Sequence, residues 1–515
     1  MHSSLTLDQR FDDPRFASAM LEKLPEYLAN QRWFTSKGKA VTNCKIREAY
    51  PVTQDTALVV MEIGFGDDST EFYQMPLAQL EHTDDQRRYL KDNDAMVLLR
   101  VPGGPFIVDA VPLPAFRRAL YELVRRGADT PEGINCEAGR LLQYAPDSAD
   151  SVVPSVDTSN TAIIYDDKYF FKLFRKLDPG LNPDLELVRY LSEETTFSHC
   201  PPYGGSLGVG EMTNENYLNL GMLSGKVDNQ GDAWEYFQQL TQGFFAGDGT
   251  VGVETLARAY LLGERTAEMH LALGNSNQDD KVSLFRGKEP SPDDMLAPTP
   301  MSAEYRKEIT EAARKLLTRQ ATELKNKVDE LDPVLKALAH QVIDLEAQIS
   351  ERLGQLADAE MELDLIRIHA DYHLGQVLVT ENDFYIIDFE GEPLLSIPER
   401  RRRRPALKDV AGMIRSFHYA ANGQLLLNPE RYADQDQKKL AALANHWFNT
   451  VSATYLSAYY EHCGEASFLP AAPEDRQLLL DLFILEKAIY EVAYELNSRQ
   501  AWLGIPLGGV LSVVG

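Results

Sequence analysis

His369-Ala370-Asp371-Tyr372-His373-Leu374-Gly375-Gln376, followed by Ile386-Ile387-Asp388-Phe389-Glu390, is the stretch on which the fold turns. Between the two pieces, Val377 to Thr380 and Phe384 to Ile387 read as short strands around the turn Glu381-Asn382-Asp383. A lone Asp or Gln in a loop is usually a cap or turn residue, and a lone His is usually a hydrogen-bonded core residue. Here polar loop, hairpin and terminal carboxylate follow one another in one order, and that coincidence calls for a chemical explanation.

Phosphoryl transfer from ATP supplies one. It needs a carboxylate near the attacking hydroxyl and oxygen ligands that hold Mg²⁺ on the phosphates. Kinase-like catalytic loops provide these as H-x-D-x-x-x-x-N, then a hairpin ending in D-F-G. Asp371 stands at the base position, and His373 either orients it or meets the acceptor. Gln376 stands at the amide position, one methylene longer than Asn but with the same carbonyl oxygen. Asp388 stands at the metal position. Glu390 replaces the Gly of D-F-G, as a further metal ligand or as an orienting group.

Upstream, such a site requires a strand lysine and a helix glutamate. Lys172 lies on the second strand of a hairpin, Thr161 to Tyr165 and Lys168 to Phe174, between large apolar neighbours. A helix is expected from Pro183 with Asn182 as its cap, and Glu186 on it is the expected partner of Lys172. No G-x-G-x-x-G loop precedes the lysine. The polar turn Ser155 to Thr161 sits in that place and offers hydroxyls and amides to phosphates. Ser159, Thr161 and Met222 are the further candidate nucleotide contacts.

The remainder frames this centre. Residues 1–130 read as a small α+β module, with a helix over Phe16 to Leu28, strands over Ala57 to Phe65, Thr70 to Leu77, Met96 to Val101 and Phe106 to Val111, and a helix over Leu113 to Arg126. Residues 131–222 carry the lysine hairpin. Residues 223–515 are mostly helical. Val253 to Leu273 is one helix, Ala303 to Glu330 another, and an apolar stripe from Pro333 to Leu353 is its antiparallel partner. Asn275 to Pro300, rich in Asp, Ser and Pro, reads as a mobile loop. The formal net charge of -27 argues against nucleic acid and anionic membranes as partners. The one basic run, Arg400 to Arg404, reads as a solvated loop or helix end. Four cysteines without metal spacing read as free thiols of a reducing compartment, and no apolar run reaches the ~20 residues of a membrane span. A cytoplasmic chain is expected.

The His369 to Pro393 stretch resembles the signature of maltokinases. Gln31-Arg32-Trp33-Phe34 with Ser36-Lys37-Gly38-Lys39 is similar to the N-terminal cap of that family. Lys172-Leu173-Phe174-Arg175, Arg265 to His270, Lys408 to Phe417 and Glu486 to Glu495 are similar to other segments of it. The resemblance implies a bilobal, protein-kinase-like α+β fold of the aminoglycoside phosphotransferase type with an extra N-terminal cap subdomain. It implies transfer of the ATP γ-phosphate to the anomeric hydroxyl of maltose, and a trehalose synthase as a partner. Close relatives phosphorylate glucosamine, which is the alternative acceptor. A kinase fold without catalysis, serving as a binding module, is the remaining alternative.

Sugar sites stack an aromatic ring on the pyranose face and surround it with carboxylates and Arg. Tyr490, Glu491 and Tyr494 share one helix at suitable spacing, although tyrosines so placed are more often core. With the resemblance they become acceptor candidates, together with His369, Arg415 and His418. At His418 the family usually carries Asp.

Overall fold

The computed structural model describes residues 7–11, 13–101, 104–154, 159–212, 215–275 and 296–514. Helix α1 (Pro14–Ala29) starts where the Asp13 side chain accepts from Arg15 N and Pro14 fills the first turn. Strands β1 (Val41–Thr53), β2 (Thr56–Phe65), β3 (Thr70–Leu80), β4 (Val97–Arg100) and β5 (Phe106–Asp109) form an antiparallel sheet ordered β1-β2-β3-β5-β4. The sequence reading anticipated four of these strands and missed β1. That strand is a sheet edge carrying Lys45, Arg47 and Glu48, and register shifts interrupt its pairing at three places. Bulges break the alternation by which a strand is recognised. Residues 102 and 103 of the expected β4–β5 turn lie outside the described residues. Helix α2 (Pro114–Arg126) follows and stops at Gly127, whose φ of 60° is the left-handed cap conformation.

A second antiparallel sheet holds the lysine. It comprises β6 (Ile134–Ala138), β7 (Ser151–Val152), β8 (Thr161–Tyr165), β9 (Tyr169–Leu173), β11 (Tyr203–Val209) and β12 (Leu218–Gly225), ordered β6-β11-β12-β9-β8-β7. The short β10 (Lys176–Leu177) leaves this sheet and pairs with β3 of the first. Gln74 of β3 donates to Phe174 O at 2.7 Å and Leu220 O at 2.8 Å. The cap sheet is thereby tied to the strand that bears Lys172. Helix α3 (Pro183–Glu194) begins as the sequence indicates, with Asn182 accepting from Asp184 N at 2.8 Å.

The helical lobe contains α4 (Ala233–Ala246), α5 (Val253–Gly274), α6 (Ala303–Lys327), α7 (Pro333–Asp344), α8 (Glu346–Asp358), the hairpin β13 (Val377–Val379) and β14 (Phe384–Ile386), α9 (Leu407–Leu427), α10 (Gln437–Cys463), α11 (Pro473–Ser498) and α12 (Gly504–Val514). The single partner helix expected for α6 is two helices, broken at Leu345. The break lets α8 lie along α6 while α7 turns to α12. The expected loop over Asn275 to Pro300 falls at 276–295 outside the described residues. Tyr455, Tyr459 and Trp447 of α10 are fully buried at the centre of this lobe. The four cysteines are free thiols. Among the described residues, no helix is long and apolar enough to cross a membrane.

Candidate active site

The catalytic loop is held by a buried carboxylate on the first turn of α9. Asp409 accepts from His369 N at 2.7 Å and Ala370 N at 2.9 Å, and from behind it meets His270 Nε2 at 3.2 Å. His270 is anchored in turn to the Tyr459 hydroxyl at 2.9 Å. These bonds fix Ala370 at a φ of 68°, a left-handed conformation that costs a non-glycine residue about 1–3 kcal/mol. Asp371 follows immediately, its carboxylate half-buried at the cleft. A Cβ at Gly412 on the same helix would lie 2.6 Å from Tyr372 O, so α9 and the loop touch backbone to helix. Gly412→Ala should therefore push the loop off α9 and cost about 1–3 kcal/mol of stability, read as a lower melting temperature, with turnover falling as well.

Asp388 ends the hairpin, also left-handed at a φ of 63°. Both flanking peptides are pinned: Ile387 O accepts from His369 Nε2 at 2.9 Å, and Phe389 N donates to Asp184 Oδ1 at 2.9 Å. The His369 ring lies against Phe389, centroids 4.8 Å apart. His369 is fully buried, which corrects its assignment as an acceptor contact: it packs the loop against the hairpin. His373 accepts from Gly375 N at 3.1 Å, so its ring caps the following turn, and burial pushes its pKa below the ordinary value despite the nearby Asp371. Gln376 hydrogen-bonds the Asp388 carboxylate.

Lys172 reaches this point from β9. Its ammonium lies 2.6 Å from Asp388 Oδ1, 2.9 Å from Asp184 Oδ2, and against Glu390. Glu186 is not its partner, contrary to the sequence expectation. Asp184 and Glu186 are two residues apart, hence on opposite sides of α3, and Asp184 has the side facing β9. Burial works against the lysine charge, but the three carboxylates hold its pKa well above the ordinary value. Burial likewise opposes the Asp388 charge, yet Lys172 keeps that carboxyl low; Glu390 is pushed up by burial, with Asp388 and Asp184 adding to the rise. Met222 stands opposite Lys172 in the register of β12 and β9. Ser159 is exposed, and Asn160 donates to Glu390 at 3.2 Å. The Thr161 hydroxyl, expected to meet phosphate, accepts from Arg175 Nε at 2.8 Å instead. Residues 155–158 of the expected phosphate turn lie outside the described residues.

Carboxylate oxygens of Asp184, Asp388 and Glu390 lie within 4.8 Å of one another, and among the described residues no other such trio is gathered so closely. Three carboxylates facing one ammonium leave two formal negative charges unmatched. Hard oxygen donors with that surplus fit Mg²⁺, with the Gln376 carbonyl oxygen as a further donor. When bound, the ion would neutralise charge on the transferring phosphates.

A cavity of about 140 Å³ opens beside the base, lined by Asp371, Glu392, Lys408, Glu486, Lys487 and Tyr490 among others. Lys487 Nζ stands 3.6 Å from Asp371 Oδ1 and over the Tyr490 ring. Of the six acceptor candidates only Tyr490 lines this cavity. Tyr494 is 52% exposed, one turn further along α11. Arg415, His418 and Glu491 are buried together: the Arg415 guanidinium donates to Glu491 Oε2 at 2.9 and 2.6 Å and meets His418 Nδ1 at 2.7 Å. A buried guanidinium needs such partners, so this trio is a brace between α9 and α11 and not a sugar surface. Burial, then Arg415, hold His418 well below its ordinary pKa, hence neutral.

Residues 27–111 match the maltokinase N-terminal cap domain, and residues 253–443 match the phosphotransferase enzyme family. The chain is a maltokinase-like phosphotransferase. This phosphotransferase is 26% identical to the glucosamine kinase of Streptacidiphilus jiangxiensis over 343 residues, 65% of this chain and 67% of that one. It is 28% identical to the glucosamine kinase of Mycolicibacterium smegmatis over 169 residues, 32% of this chain and 37% of that one. Among solved structures, a glucosamine kinase in complex with glucosamine, ADP and inorganic phosphate superposes with a TM-score of 0.65 at 18% identity, covering 95% of this chain and 99% of that one. The bilobal fold with a cap is thus shared.

Asp184, Asp409, His270, Lys408 and Lys487 are site residues that the pattern of loop and hairpin did not single out. Asp184 was hidden because an Asp two residues after an Asn cap reads as a complement to the helix dipole. Asp184→Ala should raise the KM for ATP about tenfold, because Lys172 and Phe389 N both lose their partner. Steady-state kinetics over ATP concentration checks this; an unchanged KM would return the pairing role to another carboxylate.

Proposed function

We propose that this phosphotransferase passes the γ-phosphate of ATP to the anomeric hydroxyl of maltose, giving maltose 1-phosphate and ADP. The observation that carries the chemistry is the convergence of Lys172, Asp388 and Glu390 in one cluster, with Asp371 of the catalytic loop lining the neighbouring cavity. Lys172 would bind the nucleotide phosphates, and Asp371 would accept the proton of the attacking hydroxyl. The maltokinase cap at residues 27–111 supports maltose. So does the continuation of the aromatic surface from Tyr490 at the cavity to Tyr494 beyond it, which offers a second ring to stack on. A separate trehalose synthase as the source of maltose, and a cytoplasmic location where ATP is available, accompany this reading.

Glucosamine is the second reading, favoured by the names of the relatives. An ADP-release assay with Mg·ATP against maltose, glucosamine, glucose and trehalose separates them. Turnover on maltose alone is the expected result. Turnover on glucosamine alone keeps the mechanism and discards the acceptor, and no turnover on any of the four discards the proposal.

A further inference from the structure

The basic run Arg400 to Arg404 does not behave as the solvated segment expected from sequence. Arg400 is buried, and its Nη2 donates to Asp178 Oδ2 at 3.0 Å and Pro393 O at 2.8 Å. Arg401 grips Glu186 with a fork, Nε to Oε2 at 3.1 Å and Nη2 to Oε1 at 2.8 Å. Arg404 exchanges backbone hydrogen bonds with Ile366 at 3.1 and 2.7 Å. The next residue, Arg367, is fully buried and brings its Nη2 to 2.7 Å from Glu186 Oε2. Only Arg402 faces outward, pairing with Glu308 at 2.7 Å.

These pairs join different parts of the molecule. Asp178 and Glu186 belong to the lobe that carries Lys172. The arginines belong to the helical lobe, and Arg367 lies four residues before Asp371. Glu186 has no accessible surface, and burial alone would neutralise it. The two guanidiniums answer both of its oxygens, Arg367 at Oε2 and Arg401 at Oε1, so the pair of lobes meets through a buried, doubly paired carboxylate. Buried charges of this kind are tolerated only while every partner stays in place, which makes the arrangement all-or-none.

Two residues before Glu186 on the same rigid helix is Asp184, which holds both Lys172 and Phe389 N. We infer that Glu186, Arg401 and Arg367 form an interlobe latch that sets α3, and through Asp184 sets Lys172 against Asp388. They are positioning residues for the nucleotide, and the inference rests on the reading that Lys172 binds ATP phosphates. In this chain the glutamate of α3 works from the far side of the helix, while Asp184 makes the contact to the lysine.

The test is Mg·ATP affinity by titration calorimetry on folded protein, with no acceptor present. Arg401→Met and Glu186→Gln should each weaken binding about tenfold, and the double variant should be no weaker than Glu186→Gln alone. Arg401→Lys should recover part of the loss by restoring charge without the fork. A merely structural role would lower the melting temperature of these variants and leave the Mg·ATP affinity unmoved. Should Glu186→Gln fail to fold, Arg401→Met decides, and Asp178→Asn, at a half-exposed side chain, should shift affinity in the same direction. Native affinity in folded Arg401→Met overturns the latch. Absence of Mg·ATP binding by the unaltered chain would instead overturn the nucleotide reading on which the latch rests.

Discussion

Asp371→Asn should lower turnover about 10²–10⁴-fold while leaving Mg·ATP affinity within about twofold of the unaltered chain. The carboxylate lines the cavity beside Tyr490, and it is held there by a loop whose backbone is fixed from below by Asp409. Asparagine keeps the shape but cannot take the proton of an attacking hydroxyl. The neighbouring Lys487 ammonium, 3.6 Å away, retains other carboxylates nearby, so the substitution leaves no isolated buried charge. Lys172 and Asp388, which the proposed function assigns to the nucleotide, do not line that cavity, which is why affinity for ATP should survive. ADP release under saturating substrates and a calorimetric titration with Mg·ATP measure the two quantities. A rate within about tenfold of the original would show that another group accepts the proton.

The second large effect is expected at Asp388. Asp388→Asn should reduce turnover about 10²–10³-fold and weaken the Mg²⁺ dependence of nucleotide binding, because one of the three carboxylates gathered on Lys172, 2.6 Å from its ammonium, loses its charge. Asparagine tolerates the left-handed backbone found here at a φ of 63°, so the hairpin should keep its shape and its melting temperature. Turnover and ATP affinity measured across a Mg²⁺ titration test this. An unaltered Mg²⁺ requirement would mean that Asp184 and Glu390 hold the ion without Asp388. The contrast with Asp371→Asn is informative: one variant should lose proton acceptance alone, the other should lose nucleotide handling as well.

The buried trio of Arg415, His418 and Glu491 shows why some acceptor candidates lie away from the cavity. Tyr490, Glu491 and Tyr494 look equivalent on a helix of known sequence, yet the two tyrosines, one turn apart, share a side of it and Glu491 points away from Tyr490. Glu491 turns inward and meets a guanidinium from α9, whereas Tyr490 turns to the cavity. Which side of α11 faces the cleft depends on where α9 lies, and that placement is a property of helix packing.

Local chemistry was legible from the residues themselves. The hairpin between Gln376 and Asp388, the lysine strand, and the start of α3 at Asn182-Pro183 all depend on short-range rules of turns, alternation and capping, and these operate on neighbours in the chain. Strand β1 escaped because its pattern is that of a bulged edge, where no face is consistently buried. The pairing of Lys172 with Asp184 in place of Glu186, the burial of the arginine run, and the bracing of the loop by Asp409 and His270 were settled only by tertiary structure. These join residues from 12 to 222 positions apart, and the choice between two carboxylates on one helix is made by the rotation of that helix against its neighbours, which packing decides.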